Sequence, residues 1–393
     1  MIVDTLMKND LYKLSMLQLV LHHFSDATAT YRFKCRNKDV DLIPCIPMIN
    51  KELDHLCSLK FTKDELNYLS NYPFFKPDFI DFLEDYQLKR KYITVSQKDG
   101  KMDITIQGPL LQTLMFEIYV LKIVHEVYTN ITYSNIMELN DIWNDGIIRL
   151  YEKKEMIKNY QGILNIVDFG TRRAFNDAWH EFVIEKLVGK KIEDRCIKGT
   201  SNLYYAMKYD IPAVGTMAHE IFQICQAIVH PIDSQKFLLQ KWYDEYQGRL
   251  CIALTDTLGF NKFLKDFNIG FARLYDGVRH DSGDPVVWGD RMIEHYKNFD
   301  IDPMTKTLVF SDGLDVPMAI KLNEYFKGRI KLSYGIGTNL TNDLGVPALQ
   351  NVIKIVEVNG KPVAKISDNL SKSMCEDLNY MKFLMGMLEH DLK

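Results

Sequence analysis

From residue 163 onward the sequence repeats one pattern: a short apolar run, a polar tip rich in Gly, Asp, Ser or Thr, and then a helical stripe. The apolar runs lie at 163–169, 195–199, 213–217, 251–255, 269–275, 307–310 and 329–334. Repeated βα units of this kind predict a parallel sheet. Nearly every run ends in polar residues, as barrel strands do, whereas an open doubly wound sheet gathers its polar ends at one switch point. The pattern therefore favours a (β/α) barrel.

The two ends of the chain follow a different pattern. Residues 1–150 mix helical stripes with alternating strands, which is typical of an α+β domain. Helices are predicted at 10–24, 63–70, 77–86, 110–129 and 133–151, and strands at 27–36, 92–97 and 102–106. The tail predicts a hairpin over 351–366 and a closing helix over 369–392. We expect two domains, namely 1–150, joined by part of 351–393, and 151–350.

Charge and composition exclude several classes of protein. The net charge is −4 and the pI is near 6.2, which argues against a basic face for nucleic acid or an anionic membrane. The longest apolar region, 110–128, is interrupted by charged residues and predicts a core helix, not a membrane span. The seven cysteines are odd in number and widely spaced, which predicts free thiols in a reducing cytoplasm.

The stretch 271–285, FARLYDGVRHDSGDP, carries the densest cluster of charged residues after a predicted strand. Arg279 can grip a flat anion through two hydrogen bonds, and Asp281 can hold sugar hydroxyls or a metal ion. Such a set suits a polyanion that carries Mg²⁺. The alternative from these residues alone is a charged surface turn.

Three further tips suit a phosphorylated sugar, and each has a structural alternative. Gly337 and Thr338 can hold a phosphate through backbone N–H groups and a hydroxyl, or can simply form a tight turn. Asp312, next to Gly313, can accept from ribose hydroxyls or can cap the helix that follows. The same ambiguity holds for Asp256.

Two more tips suit a nucleophile and a flat ring. His219 opens a predicted helix, where the helix dipole lowers the pKa of a histidine and keeps its ring available as a nucleophile. The alternative is a histidine held in a cap network. Phe169 can stack on a flat ring while Arg172 meets a phosphate, or the two can be a core residue and a helix-start arginine. The sequence lacks G-x-S-x-G, Walker and H-E-x-x-H motifs, so its chemistry depends on positioning and charge.

Taken together, these tips resemble those of the nicotinate phosphoribosyltransferases, within the wider nicotinate, nicotinamide and quinolinate phosphoribosyltransferase group. The matching blocks are NDLYKLSM at 9–16, DFGTRR at 168–173, GTSN at 199–202, GTMAHE at 215–220, VRHDSGDP at 278–285, FSDGLD at 310–315 and GIGT at 335–338. The resemblance implies an irregular, incomplete α/β barrel with a second domain built from both chain ends. It also implies a homodimer with active sites at the subunit interface.

The resemblance also implies how the pyridine ring is bound. Tyr12 of the partner subunit would stack on the ring opposite Phe169. Arg279 would hold the nicotinate carboxylate or orient the ring. Arg36 would reach phosphate or pyrophosphate across the same interface.

For the sugar phosphate and ATP, the resemblance implies a second set of roles. Arg172 would bind phosphate, Asp281 the ribose hydroxyls, and Gly337 with Thr338 the 5′-phosphate. His219 matches the histidine that these enzymes phosphorylate with ATP.

Ser201 bears on the choice of substrate. Relatives that use nicotinamide carry an Asp at this position, and a carboxylate there would repel a carboxylate on the substrate. Ser201 therefore favours nicotinate. The chain departs from the family pattern at 367–372, SDNLSK, where the Pro-Gly that often precedes this Lys is missing. This departure argues against a backbone contact to phosphate from that loop.

The predicted reaction joins nicotinate to 5-phosphoribosyl 1-pyrophosphate, giving nicotinate mononucleotide and pyrophosphate, with hydrolysis of ATP. Mg²⁺ is the expected metal. Three alternatives remain open at this point. They are a nicotinamide or quinolinate enzyme, a phosphosugar-binding barrel lyase or isomerase, and a nucleotide-binding paralogue without activity.

Overall fold

The computed structural model describes residues 1–191, 194–367 and 375–392. Helices α1 to α16 span Leu11–His23, Ile46–Leu56, Lys63–Ser70, Pro77–Glu84, Leu110–Thr132, Ile136–Lys158, Asp177–Val188, Leu203–Tyr209, His219–Ile228, Ser234–Tyr246, Phe260–Asp266, Ile269–Leu274, Pro285–Asn298, Val316–Phe326, Thr338–Thr341 and Leu378–Asp391. Strands β1 to β11 span Thr28–Cys35, Ile93–Lys98, Lys101–Pro109, Ile166–Asp168, Gly199–Thr200, Ile252–Leu254, Gly277–His280, Thr307–Phe310, Lys331–Ile336, Asn351–Val358 and Lys361–Pro362. The chain is a mixed α/β protein with one parallel and one antiparallel sheet.

The parallel sheet has six strands in the order β5-β4-β9-β8-β7-β6, and every ladder in it is parallel. Strand β9 returns to pair with β4, so the spatial order follows the chain around a ring. Among the described residues no ladder joins β5 to β6, and the ring is therefore open. A single bridge from Thr200 to Ala213 and a hydrogen bond from Thr216 Oγ1 to the Ile252 carbonyl oxygen (3.1 Å) lie at this opening.

Two of the predicted strands are wrong. Residues 269–275 form helix α12 instead, which begins where the Asn268 side chain accepts from the Phe271 N–H. The buried Phe271, Ala272 and Tyr275 have helical spacing, and an apolar run this short does not distinguish a helix from a strand. Residues 213–217 contribute only the bridge at Ala213.

The antiparallel sheet combines strands from both ends of the chain, in the order β11-β10-β1-β3-β2. Its hairpins turn at Asp99-Gly100 and at Asn359-Gly360, all with positive φ, as a two-residue type I′ turn requires. The predicted hairpins are therefore confirmed. Strand β11 is only two residues long, and the chain then leaves this sheet, so that Ile366 bridges to Leu258.

Helix α1 lies at the centre of the molecule and is buried on nearly every side. Its buried polar side chains all have partners: Ser15 donates to the Thr216 carbonyl oxygen (2.8 Å), and Gln18 donates to Glu245 (2.9 Å). Lys13 has two carboxylate partners, described below. The helix therefore joins α5, α9 and α10 to the loop at Thr216.

Helix α5 covers the apolar region that the sequence places in the core, and most of its residues are buried. Across the described ranges, no helix has the length and apolar character that crossing a membrane requires. All seven cysteines are free thiols. Helix α16 confirms the closing helix from Leu378 onward, whereas residues 369–374 of that prediction and residues 368–372 of the SDNLSK loop lie outside the described residues.

Candidate active site

A cavity of about 330 Å³ opens at the carboxyl ends of the parallel strands. Its lining includes all but one of the site residues that the sequence singled out, the exception being Asp256; they are Tyr12, Arg36, Phe169, Arg172, Ser201, His219, Arg279, Asp281, Asp312, Gly313, Gly337 and Thr338. The carboxyl ends of parallel strands meet at one edge, which is why positions so far apart in sequence converge. A wider, shallow groove of about 610 Å³ beside Arg90 brings none of these residues together.

The cavity is lined by this chain's own Tyr12 and Arg36, whereas the resemblance implied that a partner subunit supplies them. The segment before α1 is fixed to the β5 tip, because the Leu11 N–H donates to the Ser201 carbonyl oxygen (2.8 Å). Arg36 directly follows β1, and its N–H donates to the Gln350 carbonyl oxygen (2.9 Å) next to β10. Both residues therefore reach the cavity within one chain.

Phe169 is held by the turn that follows β4. The buried Asp168 carboxylate accepts from the Gly170 N–H (2.9 Å) and the Thr200 hydroxyl (2.7 Å), and it contacts His180 Nε2 (2.9 Å). A Cβ atom at Gly335 would lie 2.2 Å from a carbon of the Phe169 ring. Only a glycine at this position of β9 therefore lets the ring pack against the strand.

His219 is the first residue of α9, and carboxylates surround it. Its Nε2 lies 2.7 Å from Asp256 Oδ1 and 3.6 Å from Asp281 Oδ2. Burial lowers the pKa of His219 below its ordinary value and Lys365 adds to this effect, although Asp256 opposes it. The ring is therefore neutral near pH 7, which is the form that can act as a nucleophile.

Asp256 is ionised and has a full set of partners. Burial alone would raise its pKa, but the His219 ring and the Lys365 ammonium outweigh burial and hold the pKa well below its usual range. Asp256 Oδ2 accepts from Lys365 Nζ (2.8 Å) and Ser282 Oγ (2.7 Å). Asp256 is therefore a partner of the histidine.

The helix cap considered for Asp312 is Asp315, which accepts from the Met318 N–H at the start of α14.

His219, Asp256 and Asp281 place one ligand atom each within 4.8 Å of one another, and they are the only such group in the part of the chain that the structure describes. Lys365 Nζ already lies 2.8 Å from Asp256 and 3.9 Å from Asp281. Mg²⁺ needs oxygen ligands in near-octahedral geometry. This group instead offers the His219 ring nitrogen and the Asp256 carboxylate, whose oxygens already have partners, and the Lys365 ammonium competes with any bound cation. The group does not fit a resident Mg²⁺ ion.

The charged side chains of the cavity are mostly cationic, although the whole chain is acidic. The cations that line it are Arg36, Arg172, Arg173, Arg279, Lys354 and Lys365, against the carboxylates of Asp10, Asp281 and Asp312. Burial lowers the pKa of Lys354 to about 8, with Arg172 and Lys365 contributing. Burial and the neighbouring arginines lower the pKa of Arg173 to about 9. Crowded cations of this kind suit a ligand with several phosphates.

Arg279 has a buried Nε atom without a hydrogen-bond partner in the described part of the chain. An unpaired buried donor costs about 1–3 kcal/mol, so such groups are usually satisfied. A ligand carboxylate would satisfy this one.

Ser201 does not face the cavity as an isolated hydroxyl. Its Oγ donates to Asp10 Oδ1 at 2.7 Å, and Asp10 also lines the cavity. Burial raises the pKa of Asp10, while hydrogen bonds from Thr171 and Ser201 act in the opposite direction. Although Ser201 itself carries no carboxylate, Asp10 therefore places one in the same region.

A buried ion network lies next to Arg172. The fully buried Lys13 Nζ contacts Glu117 Oε2 at 2.6 Å and also pairs with Glu220, which follows His219 in α9. Arg172 Nη1 lies 3.6 Å from Glu117 Oε1. The network joins the first turns of α1 and α9 to the middle of α5.

Comparison with known proteins gives one consistent result along the chain. Residues 164–390 match the nicotinate phosphoribosyltransferase (NAPRTase) family, and residues 7–125 match the NAPRTase N-terminal domain. The nicotinate phosphoribosyltransferase of Ralstonia nicotianae is 49% identical over 98% of both chains. The chain belongs to the nicotinate phosphoribosyltransferase family.

Solved structures of the family agree. The crystal structure of nicotinate phosphoribosyltransferase from Vibrio cholerae has a TM-score of 0.93 and 37% identity, covering 99% of this chain and 94% of that one. The one from Porphyromonas gingivalis has a TM-score of 0.91 and 28% identity, covering 99% and 100%. The resemblance read from the sequence is confirmed, and with it an enzyme of this family.

The sequence reasoning missed several residues of this nicotinate phosphoribosyltransferase cavity. Lys354 and Lys365 line it from the C-terminal segment, and Arg173 and Asp10 lie beside residues that were singled out. The only signal for Lys365 was a lysine inside the apolar run VAKI. The cations of the cavity would also suit the two carboxylates of quinolinate, and family membership decides between that substrate and nicotinate.

Proposed function

We propose that this cavity transfers phosphoribose from 5-phosphoribosyl 1-pyrophosphate to nicotinate, producing nicotinate mononucleotide and pyrophosphate while ATP and water become ADP and phosphate. The observation that carries the proposal is the convergence of an arginine with an unpaired buried Nε, a half-buried histidine between two carboxylates, and a group of cations on one cavity. Family membership along the whole chain supports nicotinate as the acceptor.

The acceptor would bind between two aromatic rings. Tyr12 and Phe169 line the same cavity and can hold a flat pyridine, and Arg279 would take its carboxylate. The pyridine nitrogen then attacks the anomeric carbon as the pyrophosphate oxygen leaves. Positioning and stabilisation of the departing charge are sufficient, and no nucleophile of the enzyme attacks carbon.

The donor would bind along the strand tips. Asp281 and Asp312 accept from ribose hydroxyls beside Gly313, and Gly337 with Thr338 receive the 5′-phosphate. Arg36 and Arg172, which line the same cavity, would bind the pyrophosphate. Mg²⁺ would arrive with the phosphates of its substrates, since the His219 group does not suit the ion.

His219 would receive the γ-phosphoryl group of ATP. Its Nε2 is engaged by Asp256, so the nitrogen that attacks phosphorus is Nδ1. Asp256 then offsets the positive charge that the ring acquires. The new phosphoryl group adds about two negative charges near pH 7, which would alter how the cavity holds its other anions and so couple ATP hydrolysis to product formation.

The finer architecture also belongs to this proposal. We regard the open ring of parallel strands as an incomplete barrel, residues 151–350 as the phosphoribosyltransferase domain, and 1–150 with part of 351–393 as the second domain. A homodimer and a cytoplasmic location remain predictions. A dimer would not be needed to supply Tyr12 or Arg36, because the chain's own residues line the cavity.

Labelling with γ-phosphate-labelled ATP tests the phosphorylation step. The wild-type protein should take up an acid-labile label with near-equal stoichiometry, and His219→Asn should take up none. An acid-stable label, or one retained by His219→Asn, would remove His219 from this role. If the wild-type protein releases pyrophosphate but takes up no label, the phosphoribosyl transfer is supported and the phosphohistidine is refuted.

A further inference from the structure

Lys365 is a buried side chain for which neither the sequence motifs nor the proposed chemistry has a role. Its side chain is only 7% exposed, and its Nζ lies 2.8 Å from Asp256 Oδ2 and 3.9 Å from Asp281 Oδ2. These are the two carboxylates that flank His219. A lysine this deeply buried is kept only where its charge is paired.

The backbone around Lys365 is fixed to the two elements that carry this group. Ala364 exchanges two hydrogen bonds with the Gln226 side chain of α9, at 2.7 and 2.9 Å. On the other side, the Ile366 N–H donates to the Thr257 carbonyl oxygen at 2.8 Å, directly after Asp256. The ammonium is thus held against the start of α9 and the tip of β6, although it comes from the C-terminal tail.

The charges around His219 explain why a cation is needed at the position of Lys365. Before ATP reacts, the group contains a neutral imidazole and two carboxylates, and Lys365 is the cation in contact with both. After transfer, a phosphoryl group with about two negative charges would be bonded to Nδ1, across the same ring from the nitrogen that contacts the carboxylates. Arg279 and Lys354 also line the cavity. Lysine is suited to serve both states, because its compact charge and three donors sit on a flexible stem.

We propose that Lys365 orients Asp256 toward His219 before phosphoryl transfer and then becomes the counter-cation of the phosphorylated His219. In the step itself, the Nδ1 lone pair forms a bond to the γ-phosphorus of ATP. The bond between that phosphorus and the bridging oxygen breaks, and the oxygen leaves with ADP. The Nε2 proton stays in the hydrogen bond to Asp256, and Lys365 Nζ turns from Asp256 to the phosphoryl oxygens. This inference rests on the proposed phosphorylation.

The lifetime of the phosphoenzyme tests the inference. After labelling with γ-phosphate-labelled ATP and removal of nucleotide, the loss of label is followed in wild type, Lys365→Met, Lys365→Arg and Lys361→Met. A hydrogen bond between charged groups contributes about 1.5–3 kcal/mol, so Lys365→Met should lose its label roughly ten- to a hundredfold faster. Lys365→Arg should recover part of the lifetime. Lys361 lies in the same hairpin and donates to the Ala227 carbonyl oxygen, so its variant should match wild type.

A second measurement separates loss of charge from misfolding. In Lys365→Ala, ethylammonium ions should restore part of the phosphoenzyme lifetime in a saturable manner, whereas Lys361→Ala should not respond. Wild-type lifetimes in Lys365→Met and Lys365→Ala would overturn the role of Lys365, as would equal losses in the Lys361 variants. A wild-type protein that takes up no label would instead overturn the phosphorylation on which the inference rests.

Discussion

Replacing Arg279 with methionine should weaken nicotinate binding and yet leave the fold at least as stable. A two-pronged contact to a carboxylate contains two charge-assisted hydrogen bonds, each contributing about 1.5–3 kcal/mol. The KM for nicotinate should therefore rise by roughly a hundredfold or more, while the KM for 5-phosphoribosyl 1-pyrophosphate changes little. Because the buried Nε has no partner in the described structure, its removal should not lower the free energy of unfolding and can raise it by about 1 kcal/mol.

Steady-state pyrophosphate release and denaturant unfolding measure these two effects. Arg291→Met is the matched control, since Arg291 is on the outer face of α13, where its guanidinium lies over the Phe260 ring and bonds to Asn261. It should leave both KM values unchanged. The reasoning about Arg279 would be refuted by an unchanged KM for nicotinate, or by a rise confined to the phosphoribosyl donor.

Three further changes test other parts of the structure. Gly335→Ala would place a methyl group 2.2 Å from a Phe169 ring carbon, so it should cost about 1–3 kcal/mol of unfolding free energy and raise the KM for nicotinate. Gly386→Ala, inside α16 with nothing within 4 Å, should leave that KM unchanged and raise the unfolding free energy by up to about 1 kcal/mol. Lys13→Met leaves two buried glutamates without their shared cation and should cost about 3–5 kcal/mol by denaturant unfolding; a loss below 1 kcal/mol would contradict the network. At Glu245, burial alone would raise the pKa, but hydrogen bonds from two histidines and a lysine lower it from 4.5 to about 2. A carboxyl group whose pKa is lowered by folding stabilises the fold at pH values above its ordinary pKa. Wild type should therefore lose its stability advantage over Glu245→Gln as the pH falls from about 4.5 to 2. A difference in unfolding free energy that stays constant over this range would refute the assignment.

The sequence predicts the strand tips well because they follow a topological rule. Residues as far apart as Phe169 and Thr338 could be assigned to one cavity because parallel strands place their carboxyl ends at the same edge. The helix Ile269–Leu274 was missed because an apolar run this short fits either period. The next strand begins at Gly277, and Arg279 lies inside it rather than in a loop after it.

The contribution of the chain ends could not be predicted in the same way. Lys365 reaches His219 only because the chain leaves the antiparallel sheet after Pro362 and bridges to Leu258. The placement of Tyr12 in its own chain's cavity likewise depends on hydrogen bonds across nearly 200 positions of sequence. Such long-range packing leaves no local pattern, so the sequence indicated a hairpin and a helix but not the site that they complete.

The central claim is that this one cavity joins a flat acid to a phosphorylated sugar. The most direct test is pyrophosphate release from 5-phosphoribosyl 1-pyrophosphate with nicotinate or with nicotinamide, each with and without ATP. We predict rapid release with nicotinate, faster still with ATP, and little release with nicotinamide. Equal release with the two pyridines, or none with nicotinate in the presence of ATP, would contradict the account.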